Sequence, residues 1–248
     1  MRNAGCRRWS SLWKLAAVVV WIGSNSVQGQ AQESDQKSHA FHAAILFGRS
    51  SDSGSESLES AMREAGFADP LYYFFGSTAG NIPHTSKGTP KTFTAQYRLR
   101  SPLSAGIVVA STGESLTSGL HGYAQFLDVE YAARSVAVTA SARFKALRLE
   151  FGPSWNQTRV REVGPTVFLS NSDTWKKENK LGFIAGASVS IPVWSLIYVD
   201  AGVQYRYIGS SVAGPFTPGA YVDTPMTFPA TKINFSHWFL GIGPGIRF

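Results

Sequence analysis

The chain has 248 residues, of which 44% are hydrophobic, 13% aromatic and only 16% charged, with 24 glycines and a formal net charge of +7. This composition excludes a disordered polar chain, and its glycine and aromatic content favours β structure over helices that face solvent. A nucleotide-binding α/β enzyme is therefore disfavoured.

The first 31 residues differ in character from the remainder of the chain. A basic start without acids precedes a short apolar run, Leu15 to Gly23. At roughly ten residues the run is too short for a transmembrane helix, which needs about 20. We therefore predict a secretory signal peptide over residues 1–31 and a single mature domain over residues 32–248. The basic residues of the leader are Arg2, Arg7, Arg8 and Lys14.

Two expectations follow from removal of the leader. Cys6 is the only cysteine, so the mature chain would have no thiol for a disulfide, a cysteine-zinc site or a cysteine nucleophile. Without the four basic residues of the leader, 19 Lys and Arg stand against 16 acids, a net charge of +3. The sequence thus gives little support to nucleic acid as a partner.

From Phe41 onward, apolar and polar residues alternate in segments of about ten residues, the period of a β-strand with two different faces. Val108 and Ile184 interrupt the alternation. Eight strands are predicted: Phe41–Gly48, Phe93–Arg100, Ala105–Ala110, Ser135–Arg143, Leu147–Asn156, Leu181–Ile191, Val199–Tyr207 and His237–Phe248.

One helix is predicted in the first long connection. An apolar stripe begins at Leu58, Ser53 and Glu56 have the spacing of a capping box, and Gly66 is a natural end. The stripe could pack over the mouth of a barrel, or it could contact a partner or lipid. Extra strands at residues 71–75 or 121–130 would change the strand count. The remaining residues of the stripe are Ala61, Met62 and Ala65.

Short and long connections alternate along the chain. The predicted strands are joined by short turns near residues 101–103, 144–145 and 192–194, and by long polar loops near residues 49–91, 112–130, 158–179 and 209–231. All short turns therefore lie at one end of the sheet, and the registers they impose keep like faces together.

An even strand number, short turns at one end and a last strand that ends in Phe248 resemble the small bacterial outer-membrane β-barrels of the OmpA/OmpX/OmpW-like group. The resemblance is architectural and covers residues 39–248. It implies an all-β, eight-stranded, antiparallel up-and-down transmembrane barrel with short periplasmic turns and long extracellular loops. It also implies an assembly signal in the last strand, read by the barrel-assembly machinery: Leu240, Ile242, Ile246 and Phe248.

The competing interpretation is a soluble lipocalin-like barrel or β-sandwich, in which the apolar face would point inward. Aromatic residues at both ends of the strands favour the membrane, because they form two girdles. If the faces are assigned correctly, Ile242→Arg should be more harmful than Gly243→Ser. The predicted outer girdle comprises Trp155, Tyr205, Tyr207 and Trp238, and the inner one Phe41, Trp194 and Phe248.

Charged residues on the inward face predict a lumen network. Eight strands leave an interior that side chains can fill, and charges inside must pair or stay hydrated. The main interpretation is a plugged lumen in a protein with a structural or interaction role, and the alternative is a narrow anion-preferring pore. The residues are Arg98, Arg100, Arg143, Arg148, Glu150, Asp200, Arg206 and Arg247.

No catalytic residue, metal site or cofactor is predicted. The histidines at positions 39, 42, 84 and 121 have no metal-ligand spacing and are expected to be solvated. A lipid A hydrolase or acyltransferase is the least favoured alternative, because no matching His/Ser/Glu constellation is found.

Expected partners are outer-membrane lipid and lipopolysaccharide. Basic residues cluster in the third long loop, where they could contact lipid phosphates. They are Arg159, Arg161, Lys176, Lys177 and Lys180.

Overall fold

A computed structural model describes residues 40–51, 53–69, 83–122, 125–163, 175–216, 219–220 and 227–248. The predicted signal peptide and the aromatic run at residues 71–75 lie outside the described residues. No helix in these ranges is both long enough and apolar enough to cross a membrane.

Strands make up most of the described chain, with one helix, α1 (Ser53–Glu64), in the first long connection. The strands are β1 (Phe41–Ser50), β2 (His84–Ser86), β3 (Lys91–Arg100), β4 (Leu103–Ser111), β5 (Ser115–His121), β6 (Gln125–Phe144), β7 (Leu147–Val163), β8 (Lys176–Pro192), β9 (Ile197–Tyr207), β10 (Ser210–Ala213), β11 (Gly219–Ala220), β12 (Thr231–Asn234) and β13 (His237–Arg247).

Eight of these strands close into a ring, in the order β1-β3-β4-β6-β7-β8-β9-β13 and back to β1, with every pair antiparallel. The closing pair places His42 opposite Arg247. At its end, the Phe41 N–H donates to the Phe248 carbonyl at 2.8 Å, and the Phe248 N–H donates to the Phe41 carbonyl at 3.1 Å. Closure pairs the two edges of the sheet, as lipid requires. The predicted eight-stranded barrel is confirmed.

The apolar face of the ring points outward. Large apolar side chains lie exposed on every strand of the ring, and at the two ends of this belt aromatic side chains accompany them. On β7, for example, Leu149, Phe151 and Trp155 are 45%, 59% and 61% exposed, whereas Arg148 and Glu150 are each 5% exposed. Only lipid would accept such a belt, so the soluble interpretation with an apolar interior is wrong for this part of the molecule.

Short turns close one end of the barrel, at residues 101–102, 145–146 and 193–196, as predicted. The other end is more regular than expected. Residues 112–130 and 158–179 were predicted as loops, but β5 and long extensions of β6, β7 and β8 occupy much of them. This prediction was wrong because the strands continue to pair beyond the membrane: β6 and β7 remain paired as far as Asp128 opposite Val163.

The extended strands enclose an apolar cap. In α1, Leu58 and Met62 are fully buried, and Ala61 and Ala65 pack beside them. The helix therefore covers the barrel mouth, which decides between the two predicted roles of its apolar stripe. Gly66 ends the helix with a positive φ of 87°, a conformation that glycine adopts without strain. The cap is completed by Phe67, Leu127, Val129, Tyr131, Ala133, Val160, Ile208, Ala213, Phe216, Phe228, Ile233 and Phe235.

Gly243 faces inward, as its position in β13 predicts, but it has no room for a side chain. A Cβ at this position would overlap the backbone carbonyl of Ile45. The expected order, with Gly243→Ser milder than Ile242→Arg, stays a prediction, but the serine would not be harmless, because backbone atoms cannot move aside as the end of a flexible side chain can.

Candidate functional site

The structure divides the eight predicted lumen residues into three groups. Five are buried inside the barrel: Arg148, Glu150, Asp200, Arg206 and Arg247. Arg143 is partly buried, and its Nε donates to the Lys145 carbonyl at 3.0 Å. Arg98 and Arg100 are exposed near the short-turn end of β3. Burial therefore separates a central network from a rim of arginines.

The network begins at Asp200 and crosses to β1 and β7. Ser190 donates to Asp200 Oδ1, while His42 Nε2 lies 3.0 Å from Asp200 Oδ2. Arg148 Nη1 lies 2.7 Å from His42 Nδ1. Because an arginine can only donate, Nδ1 is the acceptor and Nε2 carries the proton. His42 is thus neutral, with a tautomer fixed by its two neighbours.

From Arg148 the network continues to the opposite wall. Arg148 Nη1 donates to Gln96 Oε1 at 3.2 Å, and Gln96 Nε2 donates to Glu150 Oε2 at 3.2 Å. Gln204 Nε2 donates to Glu150 Oε1 at 2.6 Å, and Arg206 Nη2 donates to Gln204 Oε1 at 2.8 Å. Side chains from β1, β3, β7, β8 and β9 are thereby connected in one chain of hydrogen bonds.

Aromatic rings accommodate two of the buried arginines. The Arg206 guanidinium lies 4.5 Å from the centre of the Phe239 ring, and that of Arg247 lies 3.7 Å from the centre of the Tyr198 ring. These cation–π contacts stabilise charge in a site with few carboxylates. Three buried arginines, Arg148, Arg206 and Arg247, thus face two buried carboxylates, those of Glu150 and Asp200.

The two interruptions of the strand alternation have a structural reason. Val108 and Ile184 both point inward, and they form a small apolar cluster with Ala137, each at most 1% exposed. The lumen is therefore not polar along its whole length, since an apolar layer lies among the hydrogen-bonded side chains.

Sequence reasoning missed His42, Gln96 and Gln204 as members of the network. His42 was expected to be solvated, but it is buried, so that prediction was wrong. In β1, the odd-numbered Phe41 and Ile45 point outward, so the even-numbered His42 must point inward. This alternation was the signal that could have identified His42.

The arrangement does not form a hydrolytic triad. Ser190 donates to Asp200 and not to His42, and Arg148 occupies the histidine nitrogen that a nucleophile would need. Ser236 Oγ instead accepts the N–H groups of Ile208 and Gly209, at 3.1 and 3.0 Å. Within the described ranges no three His, Cys, Asp or Glu side chains could hold a metal ion together.

The five predicted phosphate-contact residues lie on or beside extended strands and not in a loop, and they fall on two faces. Arg159 and Arg161 of β7 are outward, with Lys177 of β8 opposite Arg159. Both guanidinium groups lie 4.5 Å from the centre of the Trp175 ring. Arg159 pairs with Glu114, and Arg161 Nη2 lies 2.7 Å from Glu130 Oε2.

Lys176 and Lys180 point instead towards the cap. Lys176 Nζ donates to the Val212 carbonyl of β10 at 2.9 Å, and Lys180 donates to the Ser210 carbonyl. Lys180 Nζ also lies 3.1 Å from Glu178 Oε2. Burial alone would raise the pKa of Glu178, but hydrogen bonds from Lys180 and Ser211 outweigh it and hold this pKa below its ordinary value. These contacts fasten β10 to the barrel wall.

The predicted assembly residues share the outward face of β13. Ile242 and Ile246 are exposed and Leu240 is partly buried, while the exposed Phe248 follows the last residue of the strand. The Phe248 ring centre lies 5.0 Å from that of Phe41. This contact joins the first and last strands on the side that faces lipid.

No protein-family model matches the chain, and no curated protein sequence matches it. Solved structures that resemble it include outer membrane protein OprG from Pseudomonas aeruginosa, with 13% identity over 86% of this chain and 98% of that one and a TM-score of 0.45. Neisserial surface protein A has 15% identity over 84% and 96% of the two chains, with a TM-score of 0.39. The attachment invasion locus protein Ail of Yersinia pestis has 11% identity over 84% and 97%, with a TM-score of 0.35.

The assignment of this chain rests on its own geometry. A closed antiparallel ring leaves no unpaired edge, an apolar belt covers its outside, and hydrogen-bonded polar and charged side chains occupy its inside. These are the properties of a barrel that spans a bilayer. The chain is an eight-stranded transmembrane β-barrel.

Proposed function

We propose that this protein is a closed barrel with a structural or interaction role, whose lumen is plugged by its own polar and charged side chains. The observation that carries the proposal is the continuous hydrogen-bonded chain from Asp200 through Arg148 and Glu150 to Arg206. A pore of this strand number has little room to spare, and a network that crosses it from wall to wall obstructs the path of an ion.

The apolar cap supports the same proposal. Above the network, Leu58 and Met62 of α1 lie within a buried cluster that includes Tyr131 and Phe228. A hydrated ion would lose its water shell in such a layer, which is energetically costly. The extended strands and the cap would then present the surface that interacts with partners outside the cell.

The proposed partners are outer-membrane lipid, lipopolysaccharide and the barrel-assembly machinery. The outward cations Arg159, Arg161 and Lys177 support a contact with lipid phosphates, because they lie just beyond Trp155 at the end of the apolar belt. Lys176 and Lys180 have less to offer lipid, because they already bind β10. We also propose that the protein is not an enzyme. Asp200 lies between Ser190 and His42, whereas a hydrolytic triad needs the histidine between the serine and the acid.

A narrow anion-preferring pore is the second candidate. It is favoured by one observation, the excess of buried arginines over carboxylates in the lumen. Loss of the plug would leave Arg148, Arg206 and Arg247 along the path, and these would favour anions.

Planar-bilayer recording of the refolded protein tests the plug. We expect little or no steady conductance from the wild type. The double variant Gln96→Ala/Gln204→Ala, which cuts the network on both sides of Glu150, should conduct more often. Gln157→Ala, on the outward face, is the control and should behave like the wild type. Large, stable, anion-selective channels in the wild type would refute the plug and establish the pore.

A further inference from the structure

The short-turn end of the lumen has an unusual charge distribution. Arg143, Arg148 and Arg247 project into it from β6, β7 and β13, and Arg143 lies directly opposite Arg148 across the strand pair. Each of the three guanidinium groups is within electrostatic reach of the other two. Like charges that face one another across a sheet are destabilising, so this arrangement requires a compensating negative charge.

The protein supplies little of that charge. Asp200 is the carboxylate within electrostatic reach of Arg143 and Arg247, and its two oxygens already accept from Ser190 and His42. The turns at residues 101–102, 145–146 and 193–196 contain no acid. In the part of the chain that the structure covers, no ion pair is formed by Arg143, Arg148 or Arg247.

Two of these arginines also keep an unused donor. The Nε atoms of Arg148 and Arg247 are buried and have no hydrogen-bond partner among the described residues, and the two side chains belong to residues that are only 5% and 7% exposed. A buried donor without a partner costs free energy. The exposed Arg98 and Arg100 extend the positive charge from this interior to the rim.

We propose that the short-turn mouth of the barrel is a binding site for a small phosphate-bearing anion, held by Arg143, Arg148 and Arg247. Guanidinium groups bind phosphate oxygens through short, charge-assisted hydrogen bonds, and a multivalent anion would offset the repulsion among three cations at once. Arg98 and Arg100 would attract the anion to the opening. In the predicted orientation, with the short turns towards the periplasm, the ligand would enter from that side. The site shares Arg148 with the plug, whereas Arg143 and Arg247 lie outside the hydrogen-bonded chain, so variants of these two residues test the site without cutting the plug.

The test is calorimetric titration of pyrophosphate into the full chain, refolded in phosphatidylcholine nanodiscs at about 150 mM salt. We expect saturable binding of one pyrophosphate per barrel. Arg143→Gln and Arg247→Gln should each weaken it about tenfold or more, equivalent to about 1.4 kcal/mol. Arg134→Gln is the matched control, because it removes the same charge from an exposed outward position on β6, and its affinity should stay within about twofold of the wild type. Each variant is verified as folded by its gel migration, which differs between unheated and boiled samples when the barrel is closed.

Three outcomes would overturn the proposal. Wild-type protein without saturable binding, or variants of Arg143 and Arg247 that both bind as the wild type does, would remove the site. An equal loss in Arg134→Gln would show a general effect of charge. Nanodiscs that contain phosphatidylglycerol distinguish the source of the phosphate: unchanged affinity supports a soluble anion, whereas a tenfold loss would assign the mouth to a lipid headgroup. A barrel that binds pyrophosphate and also conducts ions would refute the proposed plug but leave the anion site intact.

Discussion

Replacement of Ile242 by arginine tests the assignment of the outward face to lipid. Ile242 is 59% exposed in β13, four residues from Trp238 and six from Phe248. At about 3.4 Å per residue and a tilt of about 40°, it lies about 10 Å from the outer girdle and about 16 Å from the inner one. This position is close to the bilayer midplane, where an arginine costs about 2 to 4 kcal/mol.

The assay is equilibrium urea unfolding in phospholipid vesicles, which measures the free energy of unfolding. Gln157→Arg is the control, because residue 157 faces outward beyond Trp155 and should cost at most about 1 kcal/mol near the interface. If Ile242→Arg were no more costly than Gln157→Arg, the belt would not lie in hydrocarbon and the outward face would be solvated.

Three further predictions concern the cap and the seam. Glu178→Gln should lower the free energy of unfolding at about pH 7, because the pKa of Glu178 is lowered in the folded state. This contribution is present above the pKa of the unfolded chain and is lost as pH falls through the folded pKa. Urea unfolding at successively lower pH should therefore show a shrinking difference between the variant and the wild type, and a difference independent of pH would refute the role of this charge. Met62→Ala, at a fully buried position, should destabilise the cap by about 2 to 5 kcal/mol, detected as faster amide hydrogen exchange in α1 with unchanged exchange in β13. Phe248→Ala should lower the yield of insertion into vesicles more than Val212→Ala, an exposed site outside the belt; equal yields would remove Phe248 from the proposed assembly signal.

The alternation of apolar and polar residues predicted the ring of strands, because the membrane imposes this alternation on the sequence. Where lipid lies outside and polar groups lie inside, residues such as Leu149 and Glu150 must alternate, and the short turns then determine which strands are neighbours. The same parity placed Arg148, Glu150, Asp200, Arg206 and Arg247 inside. It could not indicate that Arg148 contacts His42 and Gln96, because contacts across a lumen join strands that are distant in sequence.

The strand boundaries were missed for a related reason, which β6 illustrates. Within the membrane its apolar residues Val136 and Val138 point outward, but beyond it Leu127, Val129 and Tyr131 point inward. The backbone pairs with β7 on both sides of this change, so one strand reverses the polarity of its two faces where its outer surroundings change from lipid to water. In the sequence this reversal resembles the end of a strand, and the predicted segment accordingly began at Ser135. The cap and the lumen network are thus built on the same strands, and the polarity of each face follows the medium outside it and the side chains opposite it.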